Sequence, residues 1–280
     1  MKKFLAAAIA VTALAVGIAA PTPPALFSLK QPFAVHVPLS ARGAERVYLR
    51  FDPSSPQLEV RVRGHTQHLE LATLGDNTKG DVLVSDFNFD GWADIAVPSG
   101  IGYGGVNYFY NLYTFQTSKS KFVPLEFPGE AGLCNPVIRV ATRTIETDCK
   151  SGPKNYATDF RFARGKPYIY RSGEMILLNA FDENNYLVYA ITTFNSSGKS
   201  LRSSISDDPH SQVAPLRYLP VSKAMLYSAP RENAITASYI VRSDAIRILS
   251  VFDGGAGQWL RIAYQSRKLG RIIRWIFLEV

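Results

Sequence analysis

The densest chemistry in this chain lies in nine residues, Asp86-Phe87-Asn88-Phe89-Asp90-Gly91-Trp92-Ala93-Asp94. Side-chain oxygens fall at loop positions one, three, five and nine, and glycine at six. Calcium needs six to eight oxygens around one point, and this spacing turns alternate side chains inward while glycine permits the sharp bend. A helical calcium loop would also need Glu at position twelve; Val97 stands there, so this is not an EF-hand. The flanks Val82-Leu83-Val84 and Ile95-Ala96-Val97 read as strands. The expectation is a structural calcium ion on Asp86, Asn88, Asp90 and Asp94, pinning a β-hairpin. The competing reading is an Asx-rich turn that caps itself by hydrogen bonds.

A second loop follows directly. Ser99-Gly100-Ile101-Gly102-Tyr103-Gly104-Gly105-Val106-Asn107 carries four glycines and one aromatic. That composition predicts a flexible, projecting backbone with Tyr103 at its tip. No helix and no Lys-Ser/Thr pair follows, so it is not a phosphate loop. It is either a long hairpin connection or a partner-binding loop formed by Ser99, Gly100, Gly102, Tyr103, Gly104, Gly105 and Asn107.

Other reactive side chains are few. His36, His65, His68 and His210 are the only histidines. His65 and His68 sit in strand-like surroundings and read as surface residues. The chain contains no Gly-X-Ser-X-Gly elbow and no His-Glu-X-X-His pair. Scattered Asp and Glu leave a carboxylate pair for glycoside hydrolysis open. The expectation is nevertheless binding, with no catalytic residues. Cys134 and Cys149 are the only cysteines. Lys150 follows Cys149, but an isolated pair in an oxidising compartment reads as a disulfide, here across the open end of a hairpin.

The elements that must position these residues alternate with period two. Phe33 to Val37, Arg46 to Phe51, Leu58 to Val62, Tyr108 to Phe115, Lys121 to Leu125, Asn155 to Arg161, Tyr168 to Arg171 and Leu187 to Phe194 are all strand-like. No helix-period segment follows the N-terminus. Met1-Lys2-Lys3, the apolar run Phe4 to Ile18 and the small residues Gly17 and Ala19 read as a secretory signal peptide over residues 1–20. A periplasmic or secreted location follows, with no transmembrane anchor after cleavage. Net charge is +8, of which Lys2 and Lys3 supply two. No Lys/Arg run is dense enough for nucleic acid. Residues 196–219 are Ser-rich and polar and read as a linker between a domain over 30–195 and another over 220–280.

The order of strand, Asp86 to Asp94 loop, strand, Ser-Gly-X-Gly loop and Tyr108-Phe109-Tyr110-Asn111-Leu112-Tyr113 resembles a family of bacterial periplasmic proteins related in fold to periplasmic lysozyme inhibitors. The resemblance is close over Leu83 to Phe127 and looser to Phe194. It implies calcium in the acidic loop, and entry of the Ser99 to Asn107 loop into the cleft of a lysozyme-like enzyme. Ala224 to Pro230, Tyr239 to Leu249, Gln258 to Tyr264 and Arg274-Trp275-Ile276 resemble a bacterial SH3-like domain, which implies binding to peptidoglycan or packing on a neighbour.

The fold expected is all-β: an antiparallel propeller- or sandwich-like domain with a calcium-type hairpin loop, then a small SH3-like β barrel. The function expected is an exported inhibitor of a muramidase. A wall-associated or protein-docking module without inhibitory activity is the alternative, and a cell-wall hydrolase the third reading.

Overall fold

The computed structural model describes residues 24–41, 43–71, 80–129, 132–181 and 187–279. The expected signal peptide, residues 1–20, lies outside them. β1 (Ala25–Ser28) is followed by β2 (Phe33–Pro38), β3 (Arg46–Phe51), β4 (Gln57–Val62) and β5 (His65–Glu70). β2 to β5 form a four-stranded antiparallel meander. Val47, Leu49, Leu58 and Val60 point to one face and are fully buried, while their sequence neighbours are less so. This is the half-buried alternation read from the sequence.

β6 (Asp81–Ser85), β7 (Asp94–Gly102), β8 (Asn107–Gln116), β9 (Lys121–Leu125) and β10 (Leu133–Cys134) join β1 in a second, six-stranded sheet. Its centre reads as continuous apolar runs because both faces are covered. Val82, Val84, Ile95 and Val97, with Phe115 of β8, pack on Leu49 and Leu58 of the first sheet. Leu83, Ala96 and Leu112 face the other way, toward Ile145 and Phe160.

Those last two residues belong to the third sheet. It runs β11 (Val137–Arg139), β12 (Thr144–Ser151), β13 (Lys154–Ala163), β14 (Lys166–Leu177), β15 (Leu187–Phe194) and β16 (Ser200–Ser206), each paired with the next. The fourth sheet contains β17 (Leu216–Tyr218), β18 (Lys223–Tyr227), β19 (Ile235–Val241), β20 (Ala245–Asp253), β21 (Gly257–Ser266) and β22 (Gly270–Glu279). Its inner face, with Ile246, Ile248, Leu260, Ile262 and Ile276, shares a core with Val188 and Ile205 of the third sheet and with Leu178 just after β14. The molecule is thus all-β and antiparallel, with sheets joined by shared cores.

Three expectations need correction. The predicted linker, 196–219, contributes β16 and β17: Ser203 to Ser206 pair with Tyr189 to Thr192, and Leu216 to Tyr218 pair with Ala245 to Arg247. Small Ser side chains suit an exposed edge strand as well as a linker, so composition did not separate the two. The C-terminal sheet is an open path, β17-β20-β21-β22-β18-β19, rather than a closed barrel. The disulfide does form between Cys134 and Cys149, at a Cα separation of 5.9 Å. It does not close one hairpin: Cys134 lies in β10 of the second sheet and Cys149 in β12 of the third, so it ties two sheets together.

Among the described residues no helix is long and apolar enough to cross a membrane. The disulfide fits an exported protein, since such bonds persist in oxidising compartments.

Candidate functional site

The acidic loop joins β6 to β7. Asp94 has no solvent exposure. Its Oδ2 accepts the N–H groups of Phe87 (3.0 Å) and Asn88 (3.2 Å), and its Oδ1 accepts that of Phe115 in β8 (3.0 Å). Burial pushes its carboxyl well above the usual range, opposed by these N–H donors and reinforced by Asp90 and Asp86. Asp94 therefore ties the loop to the next strand. Asp86 Oδ1 and Asn88 Oδ1 both accept the Asp90 N–H at 3.0 Å, and Asp86 Oδ2 accepts that of Gly91 at 2.8 Å. Burial also raises the Asp86 pKa. Gly91 sits at φ 95°, the left-handed region that the bend requires.

Asp86, Asn88 and Asp90 carry hard oxygens of the kind calcium takes, but these accept hydrogen bonds within the loop: Asp90 Oδ1 accepts the Trp92 N–H and its Oδ2 accepts from Asn88 Nδ2, both at 2.9 Å. Asp94 has spent its oxygens on three backbone donors. The three loop carboxylates do not gather their oxygens within 4.8 Å of one another, whereas Glu146, Asp159 and His210 do bring ligand atoms that close. In this arrangement the loop side chains cap their own turn, as the Asx-turn reading expects.

The glycine–tyrosine segment is anchored rather than free. Ser99, Gly100 and Gly102 lie within β7, where a bulge between Pro98 and Gly100 leaves Ser99 out of register. Tyr103, Gly104 and Gly105 form a 3-10 turn with φ values of 48°, 64° and 91°. Two glycines make this run of positive φ affordable, and Tyr103 alone carries the strain. The Tyr103 hydroxyl donates to the Gly152 carbonyl. Asn107, which is buried, donates from Nδ2 to the Lys150 carbonyl and accepts the Lys150 N–H at Oδ1, both at 2.9 Å. Asn135 accepts the Tyr108 N–H at 2.9 Å and donates to the carbonyls of Val106 (3.1 Å) and Asp148 (2.8 Å). These bonds and the disulfide fasten the β7–β8 tip beside the β12–β13 tip, making one doubled prong. Tyr103, Val106 and Tyr156 stand exposed on it, at 48%, 45% and 39%. Amide side chains, acting as extra ladder rungs, anchor the loop that its glycines led us to expect flexible.

The structure also assembles a site that local sequence reading missed. His210 Nδ1 lies 2.5 Å from Asp159 Oδ1, and Nε2 lies 2.9 Å from Asp148 Oδ2. Arg171 Nε donates to Asp159 Oδ2 at 2.6 Å, and Arg139 Nε donates to Glu146 Oε2 at 2.7 Å. Burial alone would depress the His210 pKa. The hydrogen bonds to Asp148 and Asp159 outweigh it and raise the group from 6.5 to about 10. At neutral pH the imidazole is a cation between two carboxylates. It pins the segment after β16 onto the third sheet, where a Cβ on Gly173 would come within 3.1 Å of the Pro209 carbonyl oxygen. His210 is 51 and 62 positions from its partners, so no local motif could reveal the cluster. Its charges are internally paired, which suits a clamp better than a catalytic base.

No protein-family model and no curated protein matches the chain. A solved structure described as "Structure of a Xanthomonas Type IV Secretion System related protein" is similar at 18% identity over 62% of this chain and 99% of that chain, with a TM-score of 0.40. At that distance the likeness assigns neither a family nor an activity to this protein.

Proposed function

We propose that this protein is an exported, non-catalytic binding protein whose doubled prong enters and blocks the substrate cleft of a lysozyme-like muramidase. The observation that carries this reading is the fixation of the Tyr103 turn by Asn107, Asn135 and the disulfide, with Tyr103 and Val106 left exposed at the tip. A pre-ordered loop loses little conformational entropy on binding, so its contacts convert efficiently into affinity. Exposed aromatics on such a tip are the side chains that anchor interfaces. The absence of a recognisable nucleophile–base pair in the sequence agrees with a role in blocking rather than cleaving.

The acidic loop is the base of this prong, since β7 runs from Asp94 to Gly102. Calcium there would be held by Asp86, Asn88 and Asp90, and would neutralise crowded carboxylates without taking part in chemistry. The test of the prong is the double variant Tyr103→Ala/Val106→Ser in a muramidase inhibition titration. Inhibition weakened by more than tenfold, with the melting temperature retained, is the expected result. Undiminished inhibition would remove the prong from the mechanism.

A further inference from the structure

The protein's charge is unevenly placed. Residues 216–280 contain ten Lys/Arg and four Asp/Glu, a balance of +6 out of the total +8, and Lys2 and Lys3 supply the rest. Residues 4–215 are therefore neutral as a whole. The pairing is uneven too. Arg50, Arg61, Arg63, Arg139, Lys154 and Arg171 each meet a carboxylate within the first three sheets. In the fourth sheet Arg217 pairs with Asp207, but among the described residues Arg247, Arg261 and Arg271 have no carboxylate partner, and all three are exposed.

Register places these cations. Ile246, Ile248, Leu260, Ile262 and Ile276 turn inward to the shared core. Their neighbours Arg247, Arg261 and Trp275 must then turn outward, because side chains alternate along a strand. Arg261 lies opposite Trp275, and Trp275 opposite Tyr227. Arg247 lies opposite Ala263, two residues from Arg261 and so its diagonal neighbour. A line of Arg247, Arg261, Trp275 and Tyr227 crosses four adjacent strands, about 15 Å. At the sheet edges Tyr218 and Tyr239 are 66% and 54% exposed.

We propose that this outer face binds an extended anionic polysaccharide, with Arg247 and Arg261 pairing its carboxylates and Trp275 and the edge tyrosines stacking on its sugar rings. Guanidinium matches carboxylate in a planar, two-pronged fashion that an ammonium does not. A ribbon of pyranose rings, each with an apolar C–H face and a carboxylate at its edge, has the alternation of apolar face and anion that the aromatic rings and guanidinium groups of this sheet complement. A lipid surface would call for apolar side chains segregated from cations on an amphipathic element; here the two are interleaved across a sheet. The surface belongs to a different sheet from the prong, so the inference stands independently of muramidase inhibition.

The test is affinity electrophoresis of the mature protein through gels containing polygalacturonate, with neutral dextran as the control matrix and phosphatidylglycerol-containing vesicles in a parallel flotation assay. The expected result is retardation by polygalacturonate alone. The dissociation constant should rise about tenfold or more when salt is raised to about 0.3 M, and likewise in the R247E/R261E variant. Both side chains are exposed, so folding is retained, as far-UV circular dichroism would check. Equal retardation by dextran, retardation unchanged in R247E/R261E, or capture by vesicles without retardation by polygalacturonate would each overturn the proposal.

Discussion

Replacing His210 with Gln should remove a pH-dependent part of the stability. The imidazole is held by Asp148 and Asp159; Arg171 faces it across Asp159, and its own N–H donates to Asp208 at 2.8 Å. The folded-state pKa, about 10, lies above the unfolded value of 6.5. Stability from the clamp is therefore complete below about pH 6.5, and is lost as pH rises toward 10. A shift of that size corresponds to about 5 kcal/mol. The Asp148 side chain is 53% exposed, so water screens its share, and about 2 kcal/mol is the working figure. In a protein of this size that is a melting-temperature difference of about 6 °C. The assay is thermal melting of wild type and H210Q from pH 6 to 9.5. Wild type should melt about 6 °C higher at pH 6, and the gap should narrow steadily as the pH rises. Parallel curves, with the same gap at both ends, would refute the charge clamp.

Asp94→Asn should cost about 3 kcal/mol, because a carboxylate accepting three backbone N–H groups in the interior becomes an amide that cannot satisfy them all; urea unfolding reads it directly. Cys134→Ser/Cys149→Ser should cost about 3 kcal/mol by the entropy of the closed loop. It should also speed hydrogen exchange at the Lys150 amide, since the bridge holds the strand that Asn107 caps. If calcium occupies the acidic loop, a concentration one hundred times its dissociation constant adds about 2.7 kcal/mol. Chelator should then lower the melting temperature of wild type but not of Asp90→Ala, and identical melts with and without chelator would exclude the ion.

Period-two alternation made most of the strands legible in advance. β3, β8 and β15 appear in the sequence nearly where they lie in the structure, because one face or both must be apolar to fill a core. β16 and β17 did not, since edge strands bury little and their composition matches that of a linker. The acidic loop was legible as a turn because its spacing is local. The distinct duty of Asp94 was not, because the Phe115 N–H comes from 21 residues away. The same limit hid the anchoring of Tyr103, whose partner Gly152 is 49 residues on, and the whole His210 cluster. Local spacing predicts turns and strands; contacts between hairpins depend on how the sheets stack.

The most direct test of the central claim is a cell-wall turbidity assay with several classes of lysozyme, each with and without the purified protein. The account predicts protection against one class at near-stoichiometric protein, no lysis by the protein alone, and loss of protection in the Tyr103→Ala/Val106→Ser variant. Unhindered lysis by every class, or clearing of the suspension by the protein itself, would contradict it.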